Sequence, residues 1–321
     1  MFRRFGTAIA VLALASVAPA SHAAEFPAHD TRLVVPFPAG GPTDVIARIL
    51  AQGLDARWGQ PVVVENRPGA GTMIGAAAVA KAPPDGHTFG MVISAYTINP
   101  AIRTQMPYDT LRDLTGITQV ARANMALVVP ASAPFDDLPG LMAHARAHPG
   151  KLSYATPGPG TATHLAGEMF KKSADLDIVH VPYNGSGPAL TDLLGGRVDM
   201  MFDIVHSVRP HVAGGKLKML ALTAASRDPA LPDVPVLADT LPGFEVYSVI
   251  GLVAPAATPP HLIAALQESV AGVMAEPAVQ QRFTELGITP VASPPADWNA
   301  FIASDIARWT TVAREAGIRI D

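Results

Sequence analysis

The stretch RLVVPFPAGGPTDVIARILAQGLDA (Arg32–Ala56) reads as a strand, a loop and a helix in succession. Arg32 to Val35 is a short β-branched, apolar run, the signature of a buried strand. Val45, Ile46, Ile49, Leu50 and Leu54 recur at helical spacing, so a helix is predicted over Val45–Ala56. Between them lies Pro36-Phe37-Pro38-Ala39-Gly40-Gly41-Pro42-Thr43-Asp44, rich in turn formers and free of Lys and Arg. A strand that feeds a helix through such a loop is the building block of a parallel sheet, and ligands of open α/β sheets sit outside the carboxyl ends of the strands.

The same unit recurs along the chain. Strands are expected at Val62–Val64, Phe89–Ile93, Leu127–Val129, Ser153–Ala155, Ile178–Val181, Met200–Phe202, Lys218–Thr223 and Tyr247–Val253. Helices are expected at Ile74–Ala80, Thr163–Lys171 and Ala189–Leu194. Three more begin at Pro260, Pro277 and Pro295, where proline suits a first helical turn. Two βαβ series in one chain predict an α/β protein of two lobes. We place the crossings at Asn124 and Ser248, with residues 24–123 plus 249–321 in one lobe and 124–248 in the other. Neither crossing is rich in Ser or Gly, so a hinge pair of extended strands is expected rather than flexible linkers.

The N-terminus predicts the compartment. Met1-Phe2-Arg3-Arg4 is a basic start, Thr7–Val17 an apolar run, and Ser21-His22-Ala23 a set of small residues at cleavage offsets. This is the pattern of a cleavable signal peptide over residues 1–23 and of export to the periplasm. The run falls short of the roughly 20 residues that span a bilayer, so no membrane insertion is expected after cleavage. The formal charge of −4 becomes two units more negative without Arg3 and Arg4, which argues against nucleic acid or an anionic surface as partner. There is no Cys, which removes disulfides, thiol catalysis and thiolate metal sites.

Two further loops share the composition of the first: Thr156-Pro157-Gly158-Pro159-Gly160-Thr161-Ala162-Thr163 and Pro182-Tyr183-Asn184-Gly185-Ser186-Gly187-Pro188. Each precedes a predicted helix, whose first N–H groups lack intrahelical partners and carry partial positive charge. Glycine lets a ligand approach such backbone closely. The three loops are therefore candidate anion cradles built from amides and hydroxyls. One such loop is an ordinary turn; three in one chain allow two lobes to aim helix ends into one cleft. Asp44, just ahead of the Val45 helix, reads as an N-cap and loop brace, with Arg48 one turn on to pair with it.

The remaining chemistry-bearing groupings are weaker. His164 and Glu168 share a helix face but lack the H-E-x-x-H arrangement, and they read as a structural pair rather than a metal site. Asp203 ends a strand, where site residues collect; His206 and His211 read as surface. Neither G-x-S-x-G nor G-x-x-x-x-G-K-[ST] occurs. A binding protein is the primary reading. A hydrolase- or lyase-like enzyme using His164 or Asp203 as acid–base groups is the alternative, and a ligand-free surface scaffold the third.

VPFPAGGPTDVIAR (Val35–Arg48), VENRPGAGTMIGA (Val64–Ala76), PPDGHTF (Pro83–Phe89), YATPGPGTATHLAGEMF (Tyr154–Phe170) and HVPYNGSGPALTDLLGGRVDMMFD (His180–Asp203) together resemble the Bug, or TctC-like, family, the extracytoplasmic receptors of tripartite tricarboxylate transporters. The resemblance covers essentially the whole mature chain. It implies a two-lobed type II periplasmic-binding-protein fold, two crossing hinge strands, no cofactor and no metal. Its expected ligand is a di- or tricarboxylate, an acidic amino acid or an aromatic carboxylate. A membrane permease of the tripartite type is the implied partner, and a monomer is expected. The implied ligand contacts are Phe37, Ala39, Gly40, Gly41 and Asp44 from the first loop, and Thr156, Gly158, Gly160, Thr161 and His164 from the second. Tyr183, Asn184, Gly185, Pro188 and Asp203 form the other wall, and Tyr96 completes the set. The chain departs from the family pattern at Ala155 (usually Gly), at Thr156 and Thr161 (commonly Ser) and at Asn184 (frequently Lys).

Overall fold

The computed structural model describes residues 26–319; the signal-peptide expectation lies outside them. The chain first lays down β1 (Thr31–Val35), α1 (Pro42–Trp58), β2 (Val62–Asn66), α2 (Met73–Ala80), β3 (Thr88–Ile93), α3 (Ala95–Ile102) and β4 (Leu114–Ala123). It crosses at Asn124 into β5 (Met125–Pro130), α4 (Leu138–Ala147), β6 (Ser153–Thr156), α5 (Ala162–Ala174), β7 (Val179–Pro182), α6 (Ser186–Leu194), β8 (Met200–Ile204), α7 (Val205–Ala213) and β9 (Leu217–Leu222). It returns through β10 (Ser248–Pro255) and ends with α8 (Pro260–Met274), α9 (Pro277–Glu285), β11 (Ile288–Pro290) and α10 (Pro295–Ala316).

Two sheets result, ordered β11-β4-β10-β3-β1-β2 and β7-β6-β8-β5-β9. Each has a parallel trio whose first strand is central: β1 pairs with β2 and β3, and β6 with β7 and β8. In each, the next strand is antiparallel, and it is the strand that has just arrived from the other sheet. β10 runs against β3 and β4, and β5 against β8 and β9. The two lobes are thus topological copies that exchange one strand. Both exchanged strands are buried along their whole length, as expected for sheets covered on both faces.

The crossings are pinned. Asn124 O accepts from Val205 N at 2.9 Å, and Thr223 N donates to Met125 O at 2.9 Å. The Arg122 guanidinium lies 5.1 Å over the Tyr247 ring. The core of the second sheet also takes in Ile98 and Ile102 of α3 and Trp309 and Ala313 of α10. The end of α10 therefore packs on the second lobe, although its start covers the first sheet through Trp298 and Ile302. Among the described residues no single helix is long and apolar enough to cross a membrane.

The helix starts at Pro260, Pro277 and Pro295 fall where the sequence places them. Five elements escape the reading, among them the three-residue β11. β4 carries buried Thr118 and Gln119 inside an otherwise apolar run, which erases its pattern. The helices α3 and α7 contain Pro100 and Pro210, and α4 begins with Pro139 and Gly140 in its first turn. A further correction concerns Asp44. The helix begins at Pro42 with Gly41 as N-cap, so Asp44 sits within its first turn and is not the cap. Proline's fixed φ suits the first helical position, which extends the helix upstream of its apolar stripe.

Candidate functional site

One cavity of about 490 Å³ lies between the lobes at the carboxyl ends of the parallel strands. The first lobe contributes Phe37–Thr43, Val45 and Ile93; the second contributes Pro157, Thr161–Thr163, Asn184–Pro188, Leu190 and Asp203–Ile204, with His206, Ser207 and Pro210 of α7; Ser248 begins β10. The N-termini of α1, α5 and α6 all meet it. The α1 and α6 caps, Gly41 and Gly185, supply no side-chain bond to the helix, so their first amides remain available.

The first wall is held from behind by Asp44, which is 1% exposed. Its carboxylate accepts from Gly40 N (2.9 Å), Arg48 Nε (2.8 Å), Arg48 Nη2 (3.1 Å) and Asn66 Nδ2 (2.9 Å). Asn66 Nδ2 also donates to Phe37 O at 2.9 Å, so one polar knot fixes both ends of the Phe37–Gly40 turn. Burial pushes the Asp44 carboxyl up, but donors from Arg48, Gly40 and Asn66 outweigh it and hold it below the ordinary carboxylate value. Asp44 does not line the cavity. Gly40 takes a left-handed φ of +82°, which glycine adopts without strain.

The second wall is built by capping. Thr161 Oγ1 accepts from His164 N at 3.2 Å and donates to Gly158 O at 2.8 Å. Gly160 N donates to His164 Nδ1 at 3.3 Å. His164 stacks on His180 at 4.3 Å, and His180 stacks on Tyr154 at 4.8 Å. Thr156 Oγ1 hydrogen-bonds His180 Nε2 at 2.7 Å, and Tyr154 OH donates to Glu168 Oε1 at 2.6 Å. Burial lowers His164 to about 4 and His180 to about 3, so both imidazoles are neutral at pH 7. The stack stands behind the loop and opens toward a separate surface recess with Pro159 and Gly317, not toward the cavity between the lobes. Glu168 accepts from Tyr154 OH and Lys171 Nζ, whereas His164 contacts Gly160 N and the His180 ring, and among the described residues no group of three His, Cys, Asp or Glu could hold a metal.

The third wall is tied to the second: Gly185 N donates to Pro157 O at 2.8 Å and Tyr183 N to Thr156 O at 3.0 Å. Tyr183 OH turns away to donate to Asp192 Oδ2 at 2.8 Å. Asp203 ends β8, 1% exposed. Its Oδ1 accepts from Ile204 N (2.8 Å) and Ser186 Oγ (3.1 Å), and Oδ2 has no partner among the described residues. Burial raises its carboxyl to about 7.

Of the residues expected in the site, Phe37, Ala39, Gly40, Gly41, Thr161, Asn184, Gly185, Pro188 and Asp203 line this cavity. Asp44, Thr156, Gly158, Gly160, His164 and Tyr183 do not. They brace the loops, and Gly160 packs against Asn99 of α3, where a Cβ would overlap the amide oxygen. Tyr96 is buried in the first lobe, its hydroxyl donating to Thr110 O at 2.9 Å. Among the lining residues outside the three loops the sequence reading missed Val45, Ile93, Leu190, Ile204, Ser207, Pro210 and Ser248, and it read His206 as surface. Their one shared signal is position: Val45, Leu190, Ser207 and Pro210 fall in the first two turns of α1, α6 and α7, and Ile93, Ile204 and Ser248 at strand ends.

The profile of the family described as tripartite tricarboxylate transporter family receptor matches residues 46–318. The chain belongs to this receptor family. BugT of Bordetella pertussis (strain Tohama I) is 36% identical to the receptor over 312 residues, which cover 96% of each chain. The receptor also superposes on an R. palustris protein solved with adipate, with TM-score 0.88, 35% identity and 92% and 99% of the two chains covered. MatC of Rhodopseudomonas palustris, solved with bound malate, gives TM-score 0.84 and 32% identity over 89% of the receptor and 99% of MatC. The two-lobed periplasmic-binding-protein fold, the Bug/TctC-type resemblance and membership in a periplasmic solute-binding family therefore stand.

Proposed function

We propose that the receptor captures a small carboxylate between its lobes in the periplasm and presents it to a tripartite-type permease, without turning it over. The observation that carries this reading is the convergence of three helix N-termini on one cavity whose lining contains no Lys or Arg. Such ends attract a carboxylate through amides and partial charge, each contributing about 0.3–2 kcal/mol. A micromolar ligand needs about 8 kcal/mol, so burial of the ligand against Phe37, Val45, Ile93 and Leu190 supplies the remainder.

In this reading Phe37, Ala39, Gly40, Gly41, Thr161, Asn184, Gly185, Pro188 and Asp203 face the ligand. Asp44, Thr156, Gly158, Gly160, His164 and Tyr183 hold the loops. Residues 24–123 plus 249–321 move as one lobe and 124–248 as the other. Adipate and malate in the similar structures support a carboxylate. A chain beginning at Ala24, acting as a monomer, is the mature form.

The test is thermal unfolding of residues 24–321 against a carboxylate library, with ligand integrity followed by NMR. A ligand at 100 times its Kd stabilises by about 2.7 kcal/mol. A shift with one chemical class and an unaltered ligand is the expected result. No shift with any carboxylate, in protein shown free of carried-over ligand, overturns the reading.

A further inference from the structure

Two residues of the cavity wall each carry a buried polar atom that no described residue bonds. Asp203 Oδ2 and Ser207 Oγ are both buried and both without a hydrogen-bond partner among the described residues. They lie four residues apart, one at the end of β8 and the other in the first turn of α7, and both residues line the cavity. Buried polar atoms without partners are rare in folded proteins, and a site that places them in a ligand cavity matches a ligand that completes them.

The charges around the cavity restrict that ligand further. Asp203 and His206 are its titratable lining residues. Burial, reinforced by the charge of Arg282, holds His206 below the ordinary histidine value, so it adds no cation at neutral pH. Arg48 is committed to Asp44 outside the cavity, and Arg282 pairs with Glu285 at 3.0 Å. Asn184 adds no charge. With no cationic side chain in the lining, a second carboxylate would share the amides and hydroxyls that serve the first, and one placed beside Asp203 would meet an acid. A buried carboxylate with no cationic partner is disfavoured.

We propose that the cleft selects a singly charged carboxylate with an apolar body that also carries a hydroxyl or amine hydrogen, received by Asp203 Oδ2 and Ser207 Oγ, over di- and tricarboxylates. This rests on the reading of the cleft as a carboxylate site and names the class within it. The raised value of Asp203 agrees with a carboxyl that has no cationic neighbour in the unliganded protein.

Calorimetry on residues 24–321 with two matched series tests it. One series is hexanoate, 6-hydroxyhexanoate, 6-aminohexanoate and adipate; the other is benzoate, 3-hydroxybenzoate, 3-aminobenzoate and isophthalate. In the series that fits the cavity, a donor-bearing member binds at least tenfold tighter than its unsubstituted parent and than the dicarboxylate. Asp203→Asn and Ser207→Ala each cut the ratio between donor-bearing member and parent to below threefold. Both variants are checked for cooperative unfolding, and Ser207→Ala, which removes one oxygen, keeps the test alive if Asp203→Asn misfolds. Tighter binding of the dicarboxylate, a ratio that survives both substitutions, or failure of every donor-bearing member while other carboxylates bind overturns the inference and leaves the carboxylate reading standing. Absence of binding by any carboxylate removes both.

Discussion

Asp44→Asn separates bracing from ligand contact. The Asp44 carboxylate receives four hydrogen bonds, two at each oxygen. An amide in its place turns one oxygen into a donor that faces other donors, so either Gly40 N–H or the Asn66 amide loses its acceptor. Hydrogen bonds to a charged group contribute about 1.5–3 kcal/mol each. The Arg48 side chain is 54% exposed and is discounted as a surface pair. The loss of one buried partner and the weakening of the other give an expected destabilisation of roughly 3 kcal/mol, read as a fall of several degrees in Tm. The same change frees the Phe37–Gly40 turn through Asn66. If the competent turn drops to about one tenth of molecules, Kd rises about tenfold. Thermal unfolding and calorimetry on residues 24–321 measure both, with Arg48→Ala as a control expected to cost under about 1 kcal/mol. Asp44 is held below its ordinary value, so its contribution is full above pH 3.8 and is lost as pH falls through the folded value. The gap between wild type and variant should close there. Lost binding with unchanged unfolding would mean that the carboxylate touches the ligand, and no change in either would mean that the knot is idle.

Two other perturbations are informative. Gly160→Ala and Gly196→Ala both place a side chain at left-handed φ, +76° and +67°, but a Cβ at 160 meets Asn99 of α3 while one at 196 meets open space. Both should cost about 1 kcal/mol from backbone strain. Only Gly160→Ala should also weaken ligand binding, by about tenfold or more, because lobe contact is disturbed; equal effects would show that this contact does not govern closure. The buried imidazoles give an acid limit. His164 and His180 are pushed below the unfolded value of 6.5 to about 4 and about 3. An imidazole that is harder to protonate when folded takes its proton first in the unfolded chain. Stability is therefore full above about pH 6.5 and is lost as pH falls toward those values, on the order of 3 kcal/mol for His164 alone. His180→Gln should flatten urea-melt stability between pH 6.5 and 4; an unchanged pH slope would place the acid limit elsewhere.

The local logic of this receptor was legible along the chain. Alternating β-branched and 3.6-period runs marked the sheets, prolines marked three C-terminal helix starts, and the three lysine-free glycine loops marked helix ends that meet one cavity. These are properties of neighbouring residues, carried by spacing and backbone preference. The strand β5 was also visible, because its apolar run opens a new unit. β4 was not, since its buried polar residues are held by partners far along the sequence: Thr118 Oγ1 donates to Ser293 O, and the Gln119 backbone N to Ser293 Oγ. The same reason divides the site residues. Sequence placed Gly40, Gly160 and His164 on equivalent loops, yet Gly40 faces the cavity, Gly160 packs on α3 and His164 backs onto His180. Which side of a loop faces a cleft depends on what packs behind it, and those partners lie on other strands. Ser207 and Ser248 enter the cavity for the same reason: α7 and β10 are brought to it by the exchange of strands between the two sheets, a long-range pairing that no local pattern encodes.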